Sequence, residues 1–514
     1  MNLLHSFPHM SPRTLPRALP HLFSLRTVAG AALLLAAGSS LLMAQAPSTP
    51  PAPLPLRSAS LPPFQEMTLR NGVRMLLVEN HRQPSVVFRL VMPAGARYDA
   101  AGKSGTAALL ATLLTKGAGS RTAEQFTAAI ENTGGGLQAV VDSDFLNVFG
   151  SVLSDAAPLA FTLLGEAVTR PTLAPAEFAL AQAQSLSGLQ MSSASPAFLA
   201  TTTLLAGLYG THPYAAVPTP ATVRAITPDD VRQFHTSHVR PRGALLVVAG
   251  DITPAQLRAW AGAAFASWTG APPASGAAAP APPSRRRAEI VLVHRPGSVQ
   301  SNILIGNLAL GPADSSRLAA ELALQVLGGG SDGRLFKVLR EQKSWTYGAY
   351  ASMSRPLGLG LFQASAEVRT AVTDSAVTEM LAQLARLGRE PIPTKELEDT
   401  RSGMVGSFPL AIETPGGLAA LVAFVKLYGV PADYLQSYRL KLSRVTSAQV
   451  TAAARRVVRP DEALIVVVGD AVALYDKLAA IAPVTLRSAD GRALQPAELM
   501  PKRTPPGPST REDS

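Results

Sequence analysis

Few side chains in this sequence have both the type and the spacing to do chemistry. Arg340 and Tyr347 lie seven residues apart in the stretch REQKSWTY. A guanidinium stays charged at any working pH and a phenol donates a hydrogen bond while uncharged. Together such groups could hold a carbonyl and stabilise negative charge developing on its oxygen. A plain structural reading fits the same residues: RLFKVLRE is amphipathic, with Leu335, Phe336, Val338 and Leu339 inward and the basic residues outward, and Tyr347 could simply start a strand. His235 and His238 stand three apart at a helix end with no acidic partner close by, which suits surface or packing histidines. Beyond residue 46 the histidines are His81, His212, His235, His238 and His294. None falls in an H-x-x-E-H or H-E-x-x-H pattern, the spacings that put two imidazoles and a carboxylate on one helical face.

The elements that would position these residues sit in a chain of 514 residues, length enough for two to four domains at roughly 150 residues each. Hydrophobic residues make up 47% and charged residues 16%, which excludes a mostly disordered chain. Arg13, Arg17 and Arg26 precede the apolar run VAGAALLLAAGSSLLM, which ends in Ala44-Gln45-Ala46, the pattern of a cleaved export signal over 1–46. An exported, periplasmic protein with no stable membrane anchor is therefore expected. With no cysteine it must be held by its cores alone. Loss of the signal takes three arginines and no acids, so the formal charge drops from +11 to +8. That excess is thinly spread, and the only tight basic cluster, Arg285-Arg286-Arg287, closes a linker, so no nucleic-acid partner is expected.

Pro, Ala, Ser and Gly dominate 47–63, 271–284 and the last twenty residues, which read as linkers or tail. The expected organisation is a signal at 1–46, a Pro-rich linker at 47–63, a first domain at 64–270, a linker at 271–287, a second domain at 288–484 and a disordered tail at 485–514. The two domains are related. VRPRGALLVVAGD at 239–251 and VRPDEALIVVVGD at 458–470 match at nine of thirteen positions without a gap, and each follows a helix-start signal, ITPDDV or VTSAQV, at the same offset of 219. MTLRNGVRMLLVEN reads as a hairpin with a two-residue turn at Asn71-Gly72, followed by the strand SVVFRLVMPAG and an opening helix. AEIVLVHRPG, QSNILIGNLALG and SSRLAAELALQVLGGG repeat that order. The expected fold class is α+β: two tandem homologous domains, each an antiparallel-rich sheet covered by one layer of helices.

These stretches, with ARYDAAGKSGTAALLATLLTKGAGSRTAEQF at 96–126 and LGGGSDGRLFKVLREQKSWTYGAYAS at 327–352, resemble the M16 zinc peptidases, the pitrilysin/insulinase and mitochondrial-processing-peptidase-like family, and so imply its LuxS/metallopeptidase-like domains. Active members carry H-x-x-E-H on the opening helix, with a carboxylate ligand from a later helix. Laid on this chain, the resemblance puts the first His at Ala108, the Glu at Ala111, the second His at Thr112 and the later ligand at Gly188. Alanine and glycine have no donor atom and a threonine hydroxyl is a poor zinc ligand, so no metal or catalytic residue is expected in this chain.

In two-subunit members an Arg/Tyr pair lies in the chain lacking zinc and faces the partner's metal site. The resemblance assigns that pair to Arg340 and Tyr347, as substrate-binding residues. It implies a non-catalytic subunit paired with an H-x-x-E-H-bearing M16 partner that holds the zinc, the two chains enclosing unfolded peptides. The alternatives are a stand-alone peptide-binding or scaffold protein and, third, an active zinc metalloendopeptidase. Gly328-Gly329-Gly330 and Gly333 read as a helix stop and turn, or as a flexible loop at the chamber mouth.

Overall fold

The computed structural model describes residues 63–271, 279–431 and 433–499. The expected signal, nearly all of the first linker, the centre of the second and the last fifteen residues lie outside the described residues. Twelve strands make two six-stranded sheets. The first contains β1 (Phe64–Thr68), β2 (Arg74–Glu79), β3 (Ser85–Met92), β4 (Gly136–Val141), β5 (Leu146–Leu153) and β6 (Leu245–Gly250) in the order β1-β2-β6-β3-β5-β4. The second contains β7 (Glu289–His294), β8 (Gln300–Leu308), β9 (Thr346–Met353), β10 (Leu361–Arg369), β11 (Leu464–Gly469) and β12 (Val484–Ser488) in the order β12-β7-β11-β8-β10-β9. All pairings are antiparallel except β2 with β6, β7 with β11 and β7 with β12.

The repeated segment behaves alike in both halves. Thr227 and Thr446 each close a reciprocal capping box, Thr227 with Asp230 and Thr446 with Gln449, fixing the helices Pro228–His238 and Ser447–Val457. The strands that follow, β6 and β11, are buried at every residue, which is why their sequences are continuous apolar runs.

Three expectations need correction. The β1–β2 connection is a three-residue loop, because Leu69 and Val73 still pair and the Gly72 amide bonds back to the Leu69 carbonyl. Only Gly72 takes a positive φ, +95°, whereas the Asn71 amide is spent tying the loop to the Phe265 and Trp268 carbonyls at 2.9 and 3.1 Å. Second, β7 occupies the place of β2, so the second half begins without a counterpart of β1. Its edge is filled by β12, running parallel to β7, and residues 485–499, expected in a disordered tail, supply that strand and a short helical turn at Pro496–Leu499. Third, one helical layer per sheet is too few.

One face of each sheet packs on helices of its own half, around Phe88, Phe126 and Phe161 in the first and Phe362, Leu339 and Met380 in the second. The opposite faces are covered by exchange. The helix Pro196–Tyr209, from the first half, lies on β11 and β8, where Leu204 and Leu208 pack with Leu304, Leu464 and Val466. The helix Pro415–Leu427, from the second half, lies on β6 and β3, with Leu418, Val422 and Val425 against Leu76, Val247 and Ala249. Both helices are rich in apolar residues, and Pro196–Tyr209 turns Leu204 and Leu208 to the sheet while Ala197, Thr201 and Ala206 stay exposed. The described residues form one compact unit.

A polar contact completes the join. Asp144, in the β4–β5 loop, is 2% exposed and accepts hydrogen bonds from the Tyr214 hydroxyl at 2.7 Å, from Arg97 Nη1 at 3.0 Å and, across the halves, from the Leu357 amide at 2.8 Å. Tyr214 accepts from the Gly358 amide at 3.0 Å, and Tyr209 donates to the Leu359 carbonyl at 2.8 Å. Burial and the neighbouring Asp144 raise the Tyr214 pKa, so its hydroxyl stays a donor.

Candidate functional site

The opening helix, Thr106–Leu113, begins at Gly105, whose φ of +112° turns the chain in from the preceding loop. Asp99 anchors that start by accepting from the amides of Gly105 at 2.7 Å and Ala107 at 2.8 Å. Burial outweighs these bonds and lifts the Asp99 pKa to about 6. The helix packs on β4, on the long helix Pro175–Ser193 and on Pro228–His238.

On it, Ala108 and Thr112 are exposed on one side and Ala111 is buried in the first core. The Thr112 hydroxyl donates to the Ala108 carbonyl at 3.1 Å, a bond made within the helix. Gly188 lies exposed on the long helix, and a Cβ there would meet nothing within 4 Å. None of these four positions carries a side chain suited to binding zinc. Among the described residues no group of three or more His, Cys, Asp or Glu could hold a metal ion. A zinc ion does not fit this site, and no chemistry is routed through one here.

His235 and His238 are packing residues. His235 Nε2 bonds the Val168 carbonyl at 2.8 Å, and His238 stacks on Tyr98 with ring centroids 5.0 Å apart. Burial lowers the pKa of both. Arg285, in the basic cluster, is not freely solvated, since it bonds Glu289 Oε2 at 2.5 Å and reaches the Gly207 carbonyl.

The structure does bring Arg340 and Tyr347 together. Residues Lys337–Gln342 form a widened helical turn, with the Lys343 amide reaching back five residues to the Val338 carbonyl at 3.1 Å. Arg340 projects from this turn, lies 5.1 Å above the Phe336 ring and donates from Nη1 to the backbone carbonyl of Tyr347. Tyr347, second residue of the edge strand β9, is 85% exposed.

Close packing explains two of the glycines before the turn, Gly328 and Gly333, whereas a Cβ on Gly330 would meet nothing within 4 Å. A Cβ on Gly328 would sit 2.7 Å from the Ala351 amide nitrogen, and one on Gly333 would sit 2.6 Å from the Gly328 Cα. Arg334, 7% exposed, then anchors the turn through a two-pronged pair with Glu396 at 2.9 and 2.7 Å. Its pairing with Glu396 was not legible in the sequence, since 62 residues separate the two.

Comparison with known proteins agrees with this geometry. The family description "Insulinase (Peptidase family M16)" matches residues 74–216, and "Peptidase M16 inactive domain" matches residues 225–404. The chain belongs to peptidase family M16.

Among M16 relatives, an uncharacterized zinc protease of Streptomyces coelicolor is 24% identical over 397 residues, covering 76% of this chain and 86% of that protein. The uncharacterized zinc protease YmxG of Bacillus subtilis is 23% identical over 353 residues, covering 68% and 85%. Two solved structures share the M16 fold. A peptidase M16 inactive domain from Pseudomonas fluorescens superposes with a TM-score of 0.74 at 24% identity, covering 79% of this chain and 98% of that one. A protease from Helicobacter pylori gives 0.73 at 19% identity, covering 79% and 100%.

Proposed function

We propose that this M16 homologue is the non-catalytic subunit of a periplasmic heterodimeric zinc peptidase. A partner with an intact H-x-x-E-H helix supplies zinc, water and base. This chain supplies half of the peptide chamber and, in Arg340 and Tyr347, donors for the backbone of an unfolded peptide. One observation carries the reading: the helices Thr106–Leu113 and Pro175–Ser193 pack together, and the positions where the resemblance puts the ligands and base hold Ala108, Ala111, Thr112 and Gly188. The exposure of Arg340 and Tyr347 supports it, because donors meant for a peptide must face outward in the free subunit. A zinc-protease name on a relative cannot be transferred to a chain without donors for zinc.

The test is to purify the chain alone, the partner alone and the complex, then measure zinc and peptide cleavage. Zinc and cleavage should appear only with the partner present. Arg340→Ala or Tyr347→Phe in the complex should lower kcat/KM by about tenfold or more, the scale of one lost charge-assisted contact. Stoichiometric zinc and cleavage by the lone chain would overturn the reading. A partner fully active alone and indifferent to both substitutions would leave a stand-alone peptide binder.

A further inference from the structure

The exchanged helix Pro415–Leu427 covers the inner face of the first sheet over β6 and β3. Beyond it, on β5 and β4, Phe149 is half-buried and Gln138 and Val140 are exposed. At the boundary stands Arg89, the single charged residue of β3, between Val87 and Val91 on that inner face. It pairs in register with Phe149, and its guanidinium lies 4.8 Å from the centre of that ring.

Arg89 is underused for its position. Its hydrogen bond is a long one, from Nη1 to Asn147 Oδ1 at 3.4 Å, and among the described residues no carboxylate comes within ion-pair distance. The contrast with other arginines is direct: Arg97 faces Asp144, Arg317 faces Glu321 and Arg334 faces Glu396. A half-buried guanidinium with one long hydrogen bond keeps most of its five donors available to an incoming partner. Burial accordingly lowers its pKa, partly offset through space by Asp142, yet it remains charged.

We propose that Arg89 is an anion-reading subsite that takes one carboxylate of a peptide lying along β5 and β4, from either an Asp or Glu side chain or the free C-terminus. The Phe149 ring lies against the guanidinium, and the donors other than the Nη1 bond to Asn147 are left for the two-pronged contact that a carboxylate matches. Asn147 adds an amide beside it. Asp142, close enough to act on Arg89, would repel a dianion, which favours a carboxylate over a phosphate. The inference rests on the proposed peptide-holding role and adds to it a preference among peptides.

The test uses the full mature chain and its complex with the partner. Short fluorescein-labelled peptides carry one central Glu or Gln, each with a free or an amidated C-terminus, and binding is read by fluorescence anisotropy. The form bearing the recognised carboxylate should bind about tenfold more tightly than its neutral counterpart. Comparing the Glu and the C-terminal arms shows which carboxylate is read. Arg89→Gln should abolish the preference and Arg89→Lys should keep part of it, with urea midpoints confirming that both variants fold. A preference that survives Arg89→Gln, or equal binding of all four peptides, overturns the subsite and leaves the peptide-holding role standing. Binding of none of them, to the chain or to the complex, overturns both.

Discussion

Replacing Tyr214 by phenylalanine removes one oxygen from the join between the two halves. That oxygen donates to Asp144 Oδ1 at 2.7 Å and accepts from the Gly358 amide at 3.0 Å. Tyr214 is 7% exposed and Asp144 2%, so water cannot easily replace either bond. Loss of a hydrogen bond to a charged group costs about 1.5–3 kcal/mol, and loss of the bond from the half-buried Gly358 amide costs about 0.5–1.5 kcal/mol. Arg97 and the Leu357 amide still hold Asp144, so the two costs should not add fully, and about 3 kcal/mol is expected. Equilibrium urea unfolding followed by circular dichroism and tryptophan fluorescence measures it. Tyr209→Phe is the control, since it loses one neutral bond to the Leu359 carbonyl and should cost only about 1 kcal/mol. Equal, small effects from both would refute the idea that Asp144 and Tyr214 hold the halves together.

Other expectations follow from the same structure. Leu204→Ala, at a fully buried position where an exchanged helix meets Gly306, should cost about 2–5 kcal/mol and shift fluorescence and circular dichroism transitions together. Gly328→Ala should displace β9 at Ala351, weakening peptide binding in the complex as Arg340→Ala does, with a lowered urea midpoint as well. Asp99 binds its proton more tightly folded, with a pKa of about 6, than unfolded, near 3.8. The folded state therefore holds the extra proton between those values, and stability should fall by up to about 3 kcal/mol as pH rises from 4 to 7. Asp99→Asn should flatten that slope in urea titrations at several pH values. Finally, the triple substitution Ala108→His, Thr112→His and Gly188→Glu restores donors on exposed positions, while Ala111 still supplies no base. Metal analysis after gel filtration should show bound zinc, and peptide assays should show no cleavage.

Much of the scaffold is legible in the sequence because local rules act there undisturbed. The capping boxes at Thr227 and Thr446 and the apolar strands after them needed only residue types and spacing. The exchange of helices was not legible. Pro196–Tyr209 and Pro415–Leu427 read as apolar helices, but nothing in them says on which sheet they lie, a long-range choice that periodicity does not encode. β12 escaped because TLRSADGRAL is polar and turn-rich, and an edge strand buries little. At the site, the residue types at Ala108, Ala111, Thr112 and Gly188 are legible at once, though only the resemblance marks those positions. The Arg340–Tyr347 contact depends on a widened turn in which helical spacing fails, and Arg89 stands out only once its strand, its face and the limit of the helical cover are known.

The exchanged helices also change what a break in the backbone between the halves would do. Each piece would leave carrying the other's lid and exposing an apolar sheet face of its own. Neither would be a domain in the sense of something that folds alone, yet each would hold the template on which the other completes itself. The two halves, alike in their repeated strands, are thus completed only by each other.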